Sequence, residues 1–116
     1  MARRTISTVT AAQYRASPRL MLTAWILVGL IMTIGMLDAT STNMGLAAGA
    51  QEANGLMAWL QDSAGPLWVL PKMALHALAA AMVLWLPHPA VMAVVGPVVL
   101  FNAFVTWNNF FLAGVI

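Results

Sequence analysis

The chain has no cysteine and very little charge: 7% of its 116 residues are Asp, Glu, Lys or Arg, and only three are acids. Without a thiol there is no disulfide and no thiolate nucleophile, and cysteine usage says nothing about redox compartment. So little charge excludes a wetted globular surface, where about 25% charged residues is usual. The sequence also lacks a glycine-rich phosphate loop, a nucleophile elbow, a heptad pattern and any internal repeat. Nor does its pI near 10.0 mark a nucleic-acid partner. The net charge is only +2, and four of the five basic residues (Arg3, Arg4, Arg15 and Arg19) crowd the N-terminus.

What is present is hydrocarbon. Hydrophobic residues make up 62% of the chain, and the mean hydropathy is +0.87. The main solvent of such a chain is lipid, and its length allows one small domain. Residues 1–19 form a basic leader, in which Ile6, Val9 and Tyr14 could share one side of a short surface helix. Ser17-Pro18 then reads as N-cap and first helical residue. From Leu20 to Leu37 no charge appears. At 1.5 Å per residue that run covers about 27 Å, close to a hydrocarbon core of about 30 Å. A cleaved signal peptide would begin similarly, but the run is long for one.

Residues 20–116 are therefore expected to form an all-α membrane protein with three transmembrane helices, at about 20–40, 66–86 and 90–113. Gly65-Pro66 opens the second span, and the sequence Leu86-Pro87-His88-Pro89 closes it sharply. That short join predicts an antiparallel hairpin. Gly96-Pro97 predicts a kink or tilt in the third span. The segment 38–65 holds all three acids, Asp38, Glu52 and Asp62, and no base. Within it Asn54 is placed to cap a short interfacial helix. The positive-inside bias puts the N-terminus in the cytoplasm, the acidic loop outside, the Pro-His-Pro turn inside and the C-terminus outside. A prokaryotic inner membrane is the expected location. Trp68 and Trp107 are expected in the outer aromatic belt, and Trp25 and Trp85 in the inner one.

Comparing depths gathers the polar groups in the outer half. Asp38 ends the first span, and Lys72 lies about 9 Å below the outer end of the second. His76 sits one turn deeper, and Asn102, Thr106 and Asn109 follow i, i+4, i+7 on the third span. If the first helix continues past the lipid boundary, Gly35, Asp38, Thr42 and Gly45 share a face. A lipid-facing charge costs a few kcal/mol near the bilayer centre, so these faces are expected to turn inward. Lys72 is then tolerated because Asp38, and with it Glu52, can reach its amine.

Asp38, Thr42, the stretch Gly49-Ala50-Gln51-Glu52-Ala53-Asn54, and Lys72 in the next span together resemble a family of small uncharacterised prokaryotic membrane proteins. Its hallmark is Asp-x-x-x-Thr, then Gly-x-x-Glu-x-Asn-Pro, then a lysine in the following helix. The resemblance covers residues 20–80 and departs at Gly55, where the family has proline. It implies that Asp38, Thr42, Glu52, Asn54 and Lys72 act as one unit, and it brings no assigned activity.

Each polar residue has a plain reading and a functional one. Lys72 is a structural ion pair or a snorkelling amine on the first, and part of a proton or ion relay on the second. His76 is a neutral imidazole bonded to a neighbouring helix, at Asn102 for example, or else a relay member, metal ligand or tetrapyrrole ligand. No second ligand is visible at its depth, so no metal or cofactor is identified. The Asn102–Thr106–Asn109 stripe is helix-to-helix glue or the wall of a hydrated path. His88 reads as solvated, and the nine methionines as packing material. A hydrolase site of Asp38, Glu52 and His76 can be drawn, but no spacing requires it, and the chain is not read as an enzyme. Two functions remain. The first is helix packing, as an accessory or assembly subunit of a larger membrane complex, respiratory or photosynthetic for example, or as a homo-oligomer. The second is an oligomeric proton or small-ion conduit past Asp38, Lys72 and His76. The expected partners are the bilayer and other membrane subunits or further copies of the chain, with no nucleic acid.

Overall fold

The structure is a computed structural model that describes residues 8–116. Arg3, Arg4 and Ile6 of the basic leader, together with the side chain of Val9, lie outside the described part. The described chain is all-helical: α1 (Thr8–Arg15), α2 (Pro18–Ala47), α3 (Gly55–Ala64), a 3-10 turn (Gly65–Trp68), α4 (Val69–Trp85) and α5 (Pro89–Leu112). Three stretches, Pro18–Ala47, Gly55–Trp85 and Pro89–Leu112, are long and apolar enough to cross a membrane.

Local chemistry explains the boundaries. Ser17 Oγ accepts from the Leu20 N–H, and Pro18 occupies the first turn, so α2 starts where the sequence placed it. With 30 residues α2 is about 45 Å long, well beyond a hydrocarbon core. It runs on to Ala47, carrying Thr42 and Gly45 on the same helix as Asp38. Asn54 Oδ1 accepts from the Leu56 and Met57 N–H groups at 3.0 and 3.4 Å and starts α3. Gly65, at φ 58° and ψ −134°, separates α3 from the 3-10 turn in a conformation open to glycine and few other residues. α4 therefore begins at Val69, three residues later than the Pro66 expected from the sequence. Pro71 lies in its first turn, where the missing N–H has no intrahelical partner to lose.

α5 runs unbroken through Pro97 from Pro89 to Leu112. His88 is not simply solvated. Its Nδ1 accepts from the Ala90 N–H at 2.9 Å and caps α5, while its ring meets Tyr14 edge-on at 4.7 Å between centroids. Beside it, the Arg15 guanidinium donates to the backbone carbonyl of Trp85 and lies 5.9 Å from the Trp85 ring centroid. A cation at the last carbonyls of α4 meets the negative end of the helix dipole. α1 is thus fastened to the end of the bundle that holds the α4–α5 turn, here called the turn end. The opposite end, with residues 48–54, is the loop end.

α2 is the central helix. α4 runs antiparallel to it and α5 parallel to it, and each packs chiefly on α2 rather than on the other. The expected hairpin is therefore antiparallel but splayed. Leu86 and His88 each precede a proline and leave the helical region, Leu86 at φ −128°, ψ 81° and His88 extended at φ −78°, ψ 137°, which turns the two helices apart. The small core lies in the half nearer the turn end: Ala24, Leu27 and Ile31 of α2 meet Val83 of α4 and Val99 of α5. Along α2 the buried residues Ala24, Leu27, Ile31, Gly35, Asp38, Ser41 and Gly45 form one stripe at helical spacing. The stripe turns polar towards the loop end.

Candidate functional site: a polar cluster at the loop end

The polar part of the α2 stripe faces α4 on one side and α5 on the other. Towards α4, Lys72 Nζ lies 2.6 Å from Asp38 Oδ2, a salt bridge whose side chains are only 14% and 7% exposed. Lys72 sits in the first turns of α4, and Asp38 lies nine residues before the end of α2. The antiparallel packing brings them level. So short a pair matters: both side chains are largely buried, and each satisfies the other.

Towards α5, the Asn109 side-chain amide donates to Thr42 Oγ1 at 3.2 Å and to Ser41 Oγ at 3.4 Å. Ser41 Oγ in turn donates to the Asp38 carbonyl at 3.0 Å. A network thus runs from α5 through two hydroxyls of α2 to the residue that holds Lys72. Thr106 is buried between Asn102 and Asn109 on the α5 stripe, and its hydroxyl finds no hydrogen-bond partner among the described residues.

One turn below Lys72, His76 Nδ1 lies 2.8 Å from the Lys72 carbonyl. A carbonyl oxygen only accepts, so Nδ1 carries the proton in this geometry. The Cδ2 edge of the ring lies against α2 at Gly35. A Cβ on Gly35 would sit 2.5 Å from His76 Cδ2, so glycine is what lets the imidazole in. The hydrogen bond expected between His76 and Asn102 is absent: His76 Nδ1 is bonded to its own helix at the Lys72 carbonyl, and no polar contact joins the ring to Asn102. Both residues instead border one apolar cavity of about 210 Å³.

Glu52 does not reach Lys72. Its Oε1 accepts from the Asn54 N–H and its Oε2 from the Gln61 side-chain amide, both at 3.1 Å. It ties the loop to α3 instead. Asp38, Thr42, Glu52, Asn54, Lys72, Asn102 and Asn109 nevertheless border a common cleft of about 700 Å³ between α4 and α5 at the loop end. His76 lies beneath the cleft and Thr106 behind its α5 wall.

Trp68 also departs from expectation. At 3% exposed it is buried rather than in a lipid-facing belt, and its indole N–H donates to Asn43 Oδ1 at 2.9 Å. Trp25 and Trp107 are exposed at 58% and 64%. Sequence reasoning missed Ser41, Asn43, Gln61 and Trp68. Ser41 was within reach, since it lies one turn after Asp38 on the inward face. Nothing in the sequence pairs Asn43 with a tryptophan on the far side of α3.

The acid and amine are already bonded to each other, and no three His, Asp or Glu side chains gather among the described residues. The chain matches no curated protein and no solved structure. A family model described as a domain of unknown function (DUF5658) matches residues 29–114, which takes in α3, α4, α5 and most of α2 with every residue of the polar cluster. The chain belongs to this DUF5658 family.

Proposed function

We propose that the protein is a non-enzymatic integral protein of a prokaryotic inner membrane that works through helix packing, as an accessory or assembly subunit of a larger membrane complex. In this reading the N-terminus is cytoplasmic, the C-terminus is external, and α3 lies at the external interface. The charge distribution supports that orientation. Arg15 and Arg19 sit at the turn end, while Asp38, Glu52 and Asp62 sit towards the loop end.

One observation carries the packing role. The back of α2, opposite its buried stripe, presents Gly29, Thr33, Met36 and Thr40, all exposed. Small and hydroxyl-bearing residues at this spacing let another membrane helix approach closely. Gly29 has no use within the chain: a Cβ there would meet nothing within 4 Å. A glycine inside a helix costs about 1 kcal/mol relative to alanine, so a close neighbour from another subunit gives it a purpose. Thr40 already bonds its hydroxyl to the Met36 carbonyl at 2.9 Å, which hides the polar group from lipid.

Conduction through a single chain is disfavoured. The polar cluster occupies only the loop-end half, and below it Ala24, Leu27, Ile31, Val83 and Val99 close the bundle with apolar side chains.

The test is extraction from native membranes in a mild detergent followed by native mass measurement. Co-purifying larger subunits are expected, and Gly29→Leu with Thr33→Leu should release them while leaving the helicity of the chain unchanged. A chain that extracts alone, or a complex indifferent to both substitutions, would refute the packing role. Proton flux in vesicles that disappears with Lys72→Met would establish the conduit instead.

A further inference from the structure

The splay of α4 and α5 leaves two chambers stacked along α2. The upper is the 700 Å³ cleft at the loop end, a volume typical of small-molecule sites. Asp38 and Lys72 lie on its floor, Trp68 and Phe101 among its apolar walls, and Glu52 in the connecting loop above. The lower is the 210 Å³ cavity, walled mainly by Ile31, Leu75, Ala79, Val95 and Val98. Asn102 borders both, so the polar chamber and the apolar one share one polar lining residue. The lower chamber is a half-open apolar groove, since its wall residues Leu75 and Val98 are themselves exposed, and a groove of this volume takes a short run of hydrocarbon chain.

Charge narrows the class of occupant. Asp38 and Lys72 cancel each other. Glu52 is held by two neutral N–H donors and meets no cationic side chain among the described residues. The lining thus carries one uncompensated negative charge near the mouth, with the Asn54 and Asn109 amides beside it. We propose that the two chambers form one site for an amphiphile whose head bears a primary amine and whose hydrocarbon chain enters below Asn102. A primary ammonium offers three N–H donors to the remaining lone pairs of the Glu52 carboxylate and to the Asn109 amide oxygen. A trimethylated head offers none, and an anionic head is repelled.

The inference does not depend on the packing role, because the site faces the α4–α5 gap and not the back of α2. It is tested on the full chain in mild detergent, given equal amounts of three phospholipids of one chain length, with ethanolamine, choline and glycerol heads. Lipid retained by the protein is then read by native mass measurement. The wild type should keep the ethanolamine lipid about tenfold over the other two, the scale of a hydrogen bond to a charged group. Glu52→Gln should erase that preference while lipid is still bound. Ala79→Phe, which fills the lower chamber, should reduce retention of all three. Val98→Trp, at an exposed position on the same wall, makes the same test if Ala79→Phe fails to fold. Equal retention of the three heads by the wild type, or an unchanged preference in Glu52→Gln, overturns the head-group assignment. Unchanged retention in the chamber-filling variant overturns the placement of the chain.

Discussion

Replacing Lys72 by methionine should be the most damaging single substitution in the polar cluster. Methionine nearly matches the length and volume of the lysine stem, so packing against α2 is preserved and the amine alone is lost. Asp38 then remains with its carboxylate 7% exposed and no cation within reach. Removing one partner of a buried pair costs about 3–5 kcal/mol, and because Asp38 borders the loop-end cleft the lower end of that range is expected here. Asp38→Asn should cost less, about 1–2 kcal/mol. Lys72 is the more exposed partner at 14%, and its flexible stem starts near the loop end, so its ammonium can swing towards the surface. The double variant Asp38→Asn with Lys72→Met should lie within about 1 kcal/mol of wild type, since a neutral, well-packed pair replaces two buried charges. The coupling would then exceed about 2 kcal/mol, beyond the 0.2–1 kcal/mol of an exposed pair. The assay is reversible unfolding of the purified chain in mixed micelles, followed by helicity as the denaturing detergent is raised. If Lys72→Met costs under about 1 kcal/mol, or if the two substitutions simply add, the pair is not a buried structural link and the account of the cluster fails.

Gly35→Ala should destabilise the fold by about 1–3 kcal/mol, because the new Cβ would sit 2.5 Å from His76 Cδ2 in a ring fixed by its Nδ1–H bond. Alanine is otherwise the better helix former, so His76→Ala in the same chain should reverse the loss, and a melting temperature in detergent reads both. A Gly35→Ala protein as stable as wild type would mean that the imidazole does not lie on α2. Trp68→Phe should cost about 1 kcal/mol, whereas Asn43→Ala should cost about 1–3 kcal/mol by leaving the buried indole N–H without an acceptor. The pair should be clearly non-additive in the same unfolding assay, and additive losses would show that the bond does not form.

Much of the site was legible in the sequence because depth in a bilayer is nearly a one-dimensional coordinate. Residues on successive spans can be levelled by counting from their ends, and the cost of charge in lipid forces the levelled groups together. That reasoning was enough to pair Asp38 with Lys72, and to set Asn102, Thr106 and Asn109 on one stripe facing α2. It failed for Glu52, because a loop residue has no fixed depth. Its carboxylate found nearer donors in the Asn54 N–H and the Gln61 amide. It failed for Trp68 too, since whether an interfacial tryptophan faces lipid or protein depends on the rotation of its helix. The 3-10 turn after Gly65 sets that rotation.

Hydrophobic run length, capping residues and the near absence of charge by themselves determined three apolar crossings and an acid and an amine at one level. These are local or additive properties, readable without knowing any contact. Only the tertiary structure decided that α2 stands between two splayed partners, that Gly35 admits the His76 ring, and that a divided gap remains between α4 and α5. Those outcomes depend on the angles at which helices leave a proline-bounded turn and on which small residues meet across an interface. Such quantities arise from the packing of all the helices at once, and no single stretch of sequence carries them.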